Sequence, residues 1–186
     1  MGIALKVHPR GRYSSGITML ELITVMTLAA ILMAIGVPSY RYVTTANRIA
    51  AEVNGLVGDL QYARAEAVKE GANVVACAST DGATCNNTNT WQNGWVVCSD
   101  INNNGSCDAG EPLYRVQKAF VSTDTFTASG NTSALVFNRE GFAVGLPGIV
   151  TIALHGTPTV ASTTRCIQLS AVGTVSVLSA GQGNCT

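Results

Sequence analysis

Charge is scarce in this sequence. Asp, Glu, Lys and Arg together make up 12% of the 186 residues, about half the share usual in soluble domains. No two of the six cysteines stand as a CxxC pair, which removes the usual zinc-binding spacings. No glycine-rich phosphate loop is present, so a nucleotide-hydrolysing reading has no anchor. Histidine occurs only at His8 and His155, and nothing places a serine and an acid around either one. No internal repeat is visible, so a solenoid is excluded. We therefore expect no enzyme, no cofactor and no metal centre.

The apolar residues that are there concentrate near the front. From Ile17 to Val37 the chain runs 21 residues with one charge, Glu21. That length suits a bilayer span and exceeds a typical signal-peptide core. No small-residue cleavage site ends the run, and helical pattern continues beyond it, so a retained anchor fits better than a removed signal. Lys6, Arg10 and Arg12 precede the run with no acid among them, which predicts a cytoplasmic front end. All six cysteines lie beyond the run, on the side that would face an oxidising compartment. Six cysteines allow 15 pairings. Short loops favour neighbours and predict Cys77–Cys85, Cys98–Cys107 and Cys166–Cys185.

After Pro38, which predicts a kink rather than a break between two helices, apolar residues recur at Ile49, Val53, Leu56, Leu60, Ala63 and Ala67. Steps of three and four make one helical stripe. Arg48, Glu52, Asp59, Arg64 and Glu66 are expected largely off it. Gly71 is a natural stop, and a helix over 17–70 would measure on the order of 80 Å. Beyond residue 71, short β-branched runs (NVVACAS, GWVVCSD, LYRVQKAF, ALVFN, IVTIAL, RCIQLS, GTVSVLS) alternate with Gly, Asn, Ser and Thr clusters. They predict an antiparallel β domain of one or two sheets packed on the helix, an α+β fold. Residues 138–141 read as a hairpin turn, and 121–133 as an exposed polar loop.

Gly16-Ile17-Thr18-Met19-Leu20-Glu21-Leu22 resembles the processing site of type IV prepilins and pseudopilins. DLQYARAEAVKEGANVVAC and WQNGWVVCSDINNNGSCDAGEPLYRV are similar to minor pilins and pseudopilins of the FimT/FimU/GspH type, over about 14–118 and more loosely at RCIQLSAVGTVSV. The resemblance implies a pilin-like fold, a leader over 1–16, and cleavage between Gly16 and Ile17 by a membrane peptidase that N-methylates Ile17. Phe is commoner than Ile as the first mature residue. It further implies a transmembrane and assembly helix over 17–37, an amphipathic continuation over 38–70 and a disulfide-bearing β domain over 71–186. Glu21 then has a physical role. A carboxylate in hydrocarbon is costly, and a neighbouring subunit's Ile17 ammonium is the partner that offsets it and sets axial register. Pro38 stands where pilins carry a proline.

The implied function is a structural minor pilin that primes or enters a type IV pilus, with other major and minor pilins, the prepilin peptidase and the inner membrane as partners. The alternative is a GspH-like pseudopilin of a type II secretion system. A DNA-uptake pilin is a weaker second alternative. The basic Gly-Arg-x-Arg motif of DNA-binding relatives is replaced here by Gly173-Thr174-Val175-Ser176. Without residues 1–16 the chain would carry 8 bases against 11 acids, a side-chain charge of −3, so DNA affinity has little electrostatic drive. A cluster of Arg115, Lys118, Arg139 and Arg165 would reverse that expectation. Asp100, Asn102, Asn104 and Glu111 match a calcium-loop spacing, but strands rather than helices flank them, and the turn reading is preferred. Arg139 and Glu140 are expected to be turn charges.

Overall fold

The computed structural model of the chain describes residues 16–185. The expected leader lies outside the described residues except for Gly16, as do Lys6, His8, Arg10 and Arg12. Two compact units follow one another, the first reaching Tyr40 and the second beginning at Arg41.

Helix α1 spans Met19–Glu70 and contains Pro38 without interruption, so the proline does not divide two helices. Thr18 caps its start: its hydroxyl oxygen accepts the Glu21 N–H at 3.2 Å, satisfying one of the free donors of the first turn. The helix stops at Gly71, whose φ of +67° suits glycine and whose N–H bonds the Ala67 carbonyl at 3.0 Å.

In the first unit, α1 exposes Met19, Leu20, Ile31, Leu32 and Ile35 by 59–78% each. In the second unit the stripe Ile49, Val53, Leu56, Leu60, Ala63 and Ala67 is buried to 2% exposure or less. Glu52 and Glu66 are buried too, against the expectation that they lie off the stripe. The buried face is wider than a 3–4 seam because two sheets close on it, and both acids receive hydrogen bonds there. Ser122 donates to Glu52 at 3.2 Å; Tyr62 donates to Glu66 at 2.8 Å.

Among the described residues nine strands form two sheets: β1 Val74–Ala78, β2 Gly94–Ser99, β3 Leu113–Lys118, β4 Thr125–Ala128, β5 Ala134–Phe137, β6 Ala143–Val144, β7 Val150–His155, β8 Arg165–Leu169 and β9 Val175–Ser179. Sheet A has the order β3-β2-β1-β5-β6 and sheet B the order β4-β7-β8-β9. Every pairing is antiparallel. One core joins α1 to both sheets and includes Trp95, Phe137, Phe126, Ile152 and Ile167. The Trp95 indole also donates to Asp59 of α1 at 2.8 Å and the Trp91 indole to the Thr132 carbonyl at 3.1 Å, so the two largest core side chains leave no orphan donor. Glycine at 156 permits close approach to the helix. A Cβ there would stand 2.9 Å from a Thr45 methyl and 3.3 Å from Ile49.

The segment 121–133 departs from its expected exposed loop. It contains β4, which pairs with β7, and Asp124, Phe126 and Ala128 alternate into the interior. An aspartate at one inward position hides the alternation from a hydropathy reading. The turn at 138–141 forms as expected: Gly141 N–H bonds the Asn138 carbonyl at 2.8 Å, and Gly141 has φ +78°.

Candidate functional site

Two regions concentrate unusual chemistry. In the first unit, α1 is long and apolar enough to cross a membrane; its best 18-residue window has a mean hydropathy of 2.3 and buries none of its residues. Glu21 sits in the first turn of that helix and is exposed. Its place three residues after Thr18 is favourable to an acid on local grounds, because the helix N-terminus carries partial positive charge. Gly16 and Ile17 precede the helix and are exposed, so the expected cleavage bond lies in open chain.

In the second unit, the outer face of sheet A carries a small separate core of Val75, Cys77, Val96, Cys98 and Cys107. Adjacent strands β1 and β2 are buried at every position for this reason. Cys77 is bonded to Cys85, Cys98 to Cys107, and Cys166 to Cys185. The first two bridges fasten two loops over this face. The Cys85 loop is further closed by Asp81, whose carboxylate accepts from Thr84 N–H, Ala83 N–H, the Thr84 hydroxyl and the Ser79 hydroxyl. Those bonds hold the Asp81 carboxyl far below the usual carboxylate range.

The 100–111 loop folds on its own polar atoms. Asp100 is buried and accepts the N–H groups of Asn104 at 3.0 Å and Gly105 at 2.9 Å. Asn102 and Asn104 accept the N–H groups of Asn104 and Ser106 through their carbonyl oxygens. Their amide groups both donate to Asp108, at 2.9 and 2.6 Å. Glu111 accepts from Ile101 and Asp108 N–H. The side chains at ligand spacing thus brace a turn between β2 and β3, with two amide groups aimed at the third carboxylate.

A cluster that sequence reasoning missed ties α1 to the entry of β4. Arg48 donates to both Asp124 oxygens, at 2.6 and 2.8 Å. Thr157 N–H adds a third bond to Asp124 at 2.7 Å. Burial alone would raise the Asp124 carboxyl; Arg48 and Thr157 outweigh it and hold it below its usual value. Beside it Glu52 is raised, first by burial and then by the Asp124 charge, and its Oε2 is buried without a hydrogen-bond partner. Nothing in the sequence marks an aspartate in a Ser/Thr-rich segment as a buried hub. Arg64 was missed in the same way. It donates to the carbonyls of Gly141 at 2.8 Å and Val172 at 3.3 Å, so one helix side chain holds a turn from each sheet.

The four candidate DNA-binding cations are not brought together. Arg115 and Lys118 lie on edge strand β3, Arg139 in the turn beyond β5 at the opposite side of sheet A, and Arg165 in sheet B. Arg115 stacks on Tyr62, 4.4 Å from the ring centroid. Arg139 pairs with Glu140 at 2.8 Å in their exposed turn. Arg165 donates to the Ser162 and Thr164 carbonyls. His155 lies 3.4 Å from the Thr164 hydroxyl, and no carboxylate completes a triad with it among the described contacts. Among the surface clefts of the described residues, one of about 580 Å³ has Arg64 as its charged residue and one of about 450 Å³ has Asp81 and Lys118. Arg64 and Asp81 are already committed to the bonds above.

A helix with a bare apolar first half and a second half clasped by two antiparallel sheets is the pilin fold. Two crystal forms of the Pseudomonas aeruginosa type IV minor pilin FimU share the fold over about three quarters of this chain. One is 21% identical, covers 73% of this chain and 94% of FimU, and superposes with a TM-score of 0.55. The other is 20% identical over 77% and 95%, with a TM-score of 0.57. No curated protein matches the chain by sequence. The sequence model of the type II transport protein GspH family matches residues 52–173, and the chain belongs to that family.

Proposed function

We propose that this chain is a minor type IV pilin, a non-enzymatic subunit that primes or enters a pilus fibre. The observation that carries the reading is the division of α1: an apolar half with no buried face, followed by a half whose stripe is fully covered. A helix surface left bare over five turns needs lipid before assembly and other helices after it. The first 16 residues act as a leader, and a peptidase cuts between Gly16 and Ile17 and methylates Ile17. The anchor then sits in the inner membrane with the β domain in the periplasm, where its disulfides form. Glu21 pairs with the Ile17 ammonium of a neighbouring subunit and sets register, and Pro38 marks where the membrane half gives way.

Mass spectrometry of the mature protein should find an N-methylated Ile17 at its start; any other start removes the leader assignment. Glu21→Ala should be processed normally yet fail to enter fibres, and unimpaired assembly would remove the register role. The family's type II transport description favours one second reading, a pseudopilin of a secretion system. Deleting the gene and scoring piliation, secretion and DNA uptake together separates the readings. Loss of piliation alone supports the pilin. DNA uptake is disfavoured by the dispersal of Arg115, Lys118, Arg139 and Arg165.

A further inference from the structure

Three sulfur atoms belonging to two different bridges meet on the outer face of sheet A. The Sγ atoms of Cys77, Cys85 and Cys107 all lie within 4.8 Å of one another. The loops carrying Cys85 and Cys107 are also joined through their backbones: Cys85 N–H donates to the Cys107 carbonyl at 3.2 Å, and Cys107 N–H points at the Cys85 sulfur at 2.9 Å. Cys77, Cys98 and Cys107 are buried, while Cys85 is partly exposed. Cys166–Cys185 belongs to sheet B and has no third sulfur in such a group among the described residues.

We propose that Cys77–Cys85 and Cys98–Cys107 form one exchange-coupled unit, through which a thiol arriving at Cys85 moves the tether of the 99–107 loop from β2 to β1. The steps balance without any net oxidation. The thiolate of a low-molecular-weight thiol attacks the Cys85 sulfur, the accessible one, forming a mixed disulfide and releasing Cys77 as a thiolate. The Cys107 N–H, directed at the Cys85 sulfur, draws electron density from the atom under attack. Cys77 is then enclosed beside Cys107. Its thiolate attacks the Cys107 sulfur, a Cys77–Cys107 bond forms, the Cys98–Cys107 bond breaks, and Cys98 leaves as a thiolate that takes up a proton. Two disulfides and one thiol enter; two disulfides and one thiol remain. An intramolecular thiol at this separation competes at high effective concentration with any thiol in solution. The 99–107 loop, which β2 holds at both ends through Ser99 and Cys98, would then hang from β1 at Cys107.

The test uses the full-length protein in detergent with Cys85→Ser, which leaves the Cys77 thiol in place with no outside reagent. Cleavage before Asp59, Asp81, Asp100 and Asp108 puts Cys77, Cys98 and Cys107 in separate peptides, 59–80, 81–99 and 100–107. After acid quench and alkylation, mass spectrometry should show 59–80 linked to 100–107 and alkylated Cys98. Alkylated Cys77 with an intact Cys98–Cys107 link overturns the proposal. Cys185→Ser should show alkylated Cys166 with both outer-face bridges native; scrambling there also overturns it, since exchange would then be general. Should Cys85→Ser fold poorly, wild-type protein treated with reduced glutathione gives an independent reading. Glutathione on Cys85 together with alkylated Cys98 supports the relay, and glutathione on Cys85 with alkylated Cys77 overturns it.

Discussion

The two halves of α1 share one secondary structure and have opposite fates. Between Met19 and Val37 apolar residues occur at nearly every position and none is buried. Between Ile49 and Ala67 one stripe of them, at steps of three and four, is fully covered, while Ala50, Ala51 and Ala65 off that stripe stay exposed. The amount of hydrophobicity is greater in the half that buries less. What decides burial within the folded chain is the pattern: a stripe has one face to offer a domain, whereas an all-round apolar helix offers every face and must find its partners outside the chain.

The sharpest way to break this comparison is to truncate one leucine in each half. Leu60→Ala removes a fully buried side chain and should cost about 2–5 kcal/mol of domain stability, read as a lowered thermal midpoint by circular dichroism. Leu32→Ala, at a residue 71% exposed, should leave that midpoint unchanged and alter only assembly. Equal effects would mean that the two halves are not distinct. Next in size is Asp124→Ala, which strands Arg48 and the Thr157 N–H. Three hydrogen bonds lost from a carboxylate with no exposure predict a loss of at least about 1.5–3 kcal/mol in denaturant titration.

The comparison also explains what could be read in advance. The stripe, the Gly71 stop and seven of the strands follow from periodicity and from glycine, because those signals are local. Strand β4 escaped because its inward run begins with Asp124, acceptable there only through an arginine 76 residues earlier. Strand β6 has two residues, too few to show alternation. Glu52 and Glu66 were expected outside because charge usually faces water, yet both are buried where Ser122 and Tyr62 donate hydrogen bonds to them. Glu21, the proposed assembly residue, could be singled out for a different reason: it is anomalous in its own sequence context, whereas Arg64 and Asp124 look ordinary until the turns they hold are in place.

Glu52 gives a smaller test with a defined sign. Its carboxyl is raised by burial and by Asp124, so the fold prefers the protonated form. The stability tied to it is fully present below the unfolded-state value and is lost as pH rises through the folded-state value. Glu52→Gln keeps the shape, removes the charge and should raise stability near neutral pH by on the order of 1 kcal/mol, the size of relieving one unpaired buried acceptor. It should also flatten that part of the pH profile, measured as denaturation midpoints from pH 4 to 8. A loss at pH 7 would show that the ionised Glu52 is needed by Arg48.

The smallest effect is expected at the edge of the stripe. Lys69 is 72% exposed and pairs with Glu66 at 2.8 Å across one helical turn. Glu66 is held below its usual value first by Lys69 and then by Tyr62, so its contribution is present above the unfolded-state value and is lost as pH falls through the lower folded-state one. Lys69→Ala leaves the Tyr62 bond in place and should shift the thermal midpoint by no more than about 1–2 °C at neutral pH. It should also bring the acid-side loss to a slightly higher pH, and moderate salt should erase the difference. A shift as large as that of Leu60→Ala would mean that charge on the open face, and not the covered stripe, holds the second half of the helix to its sheets.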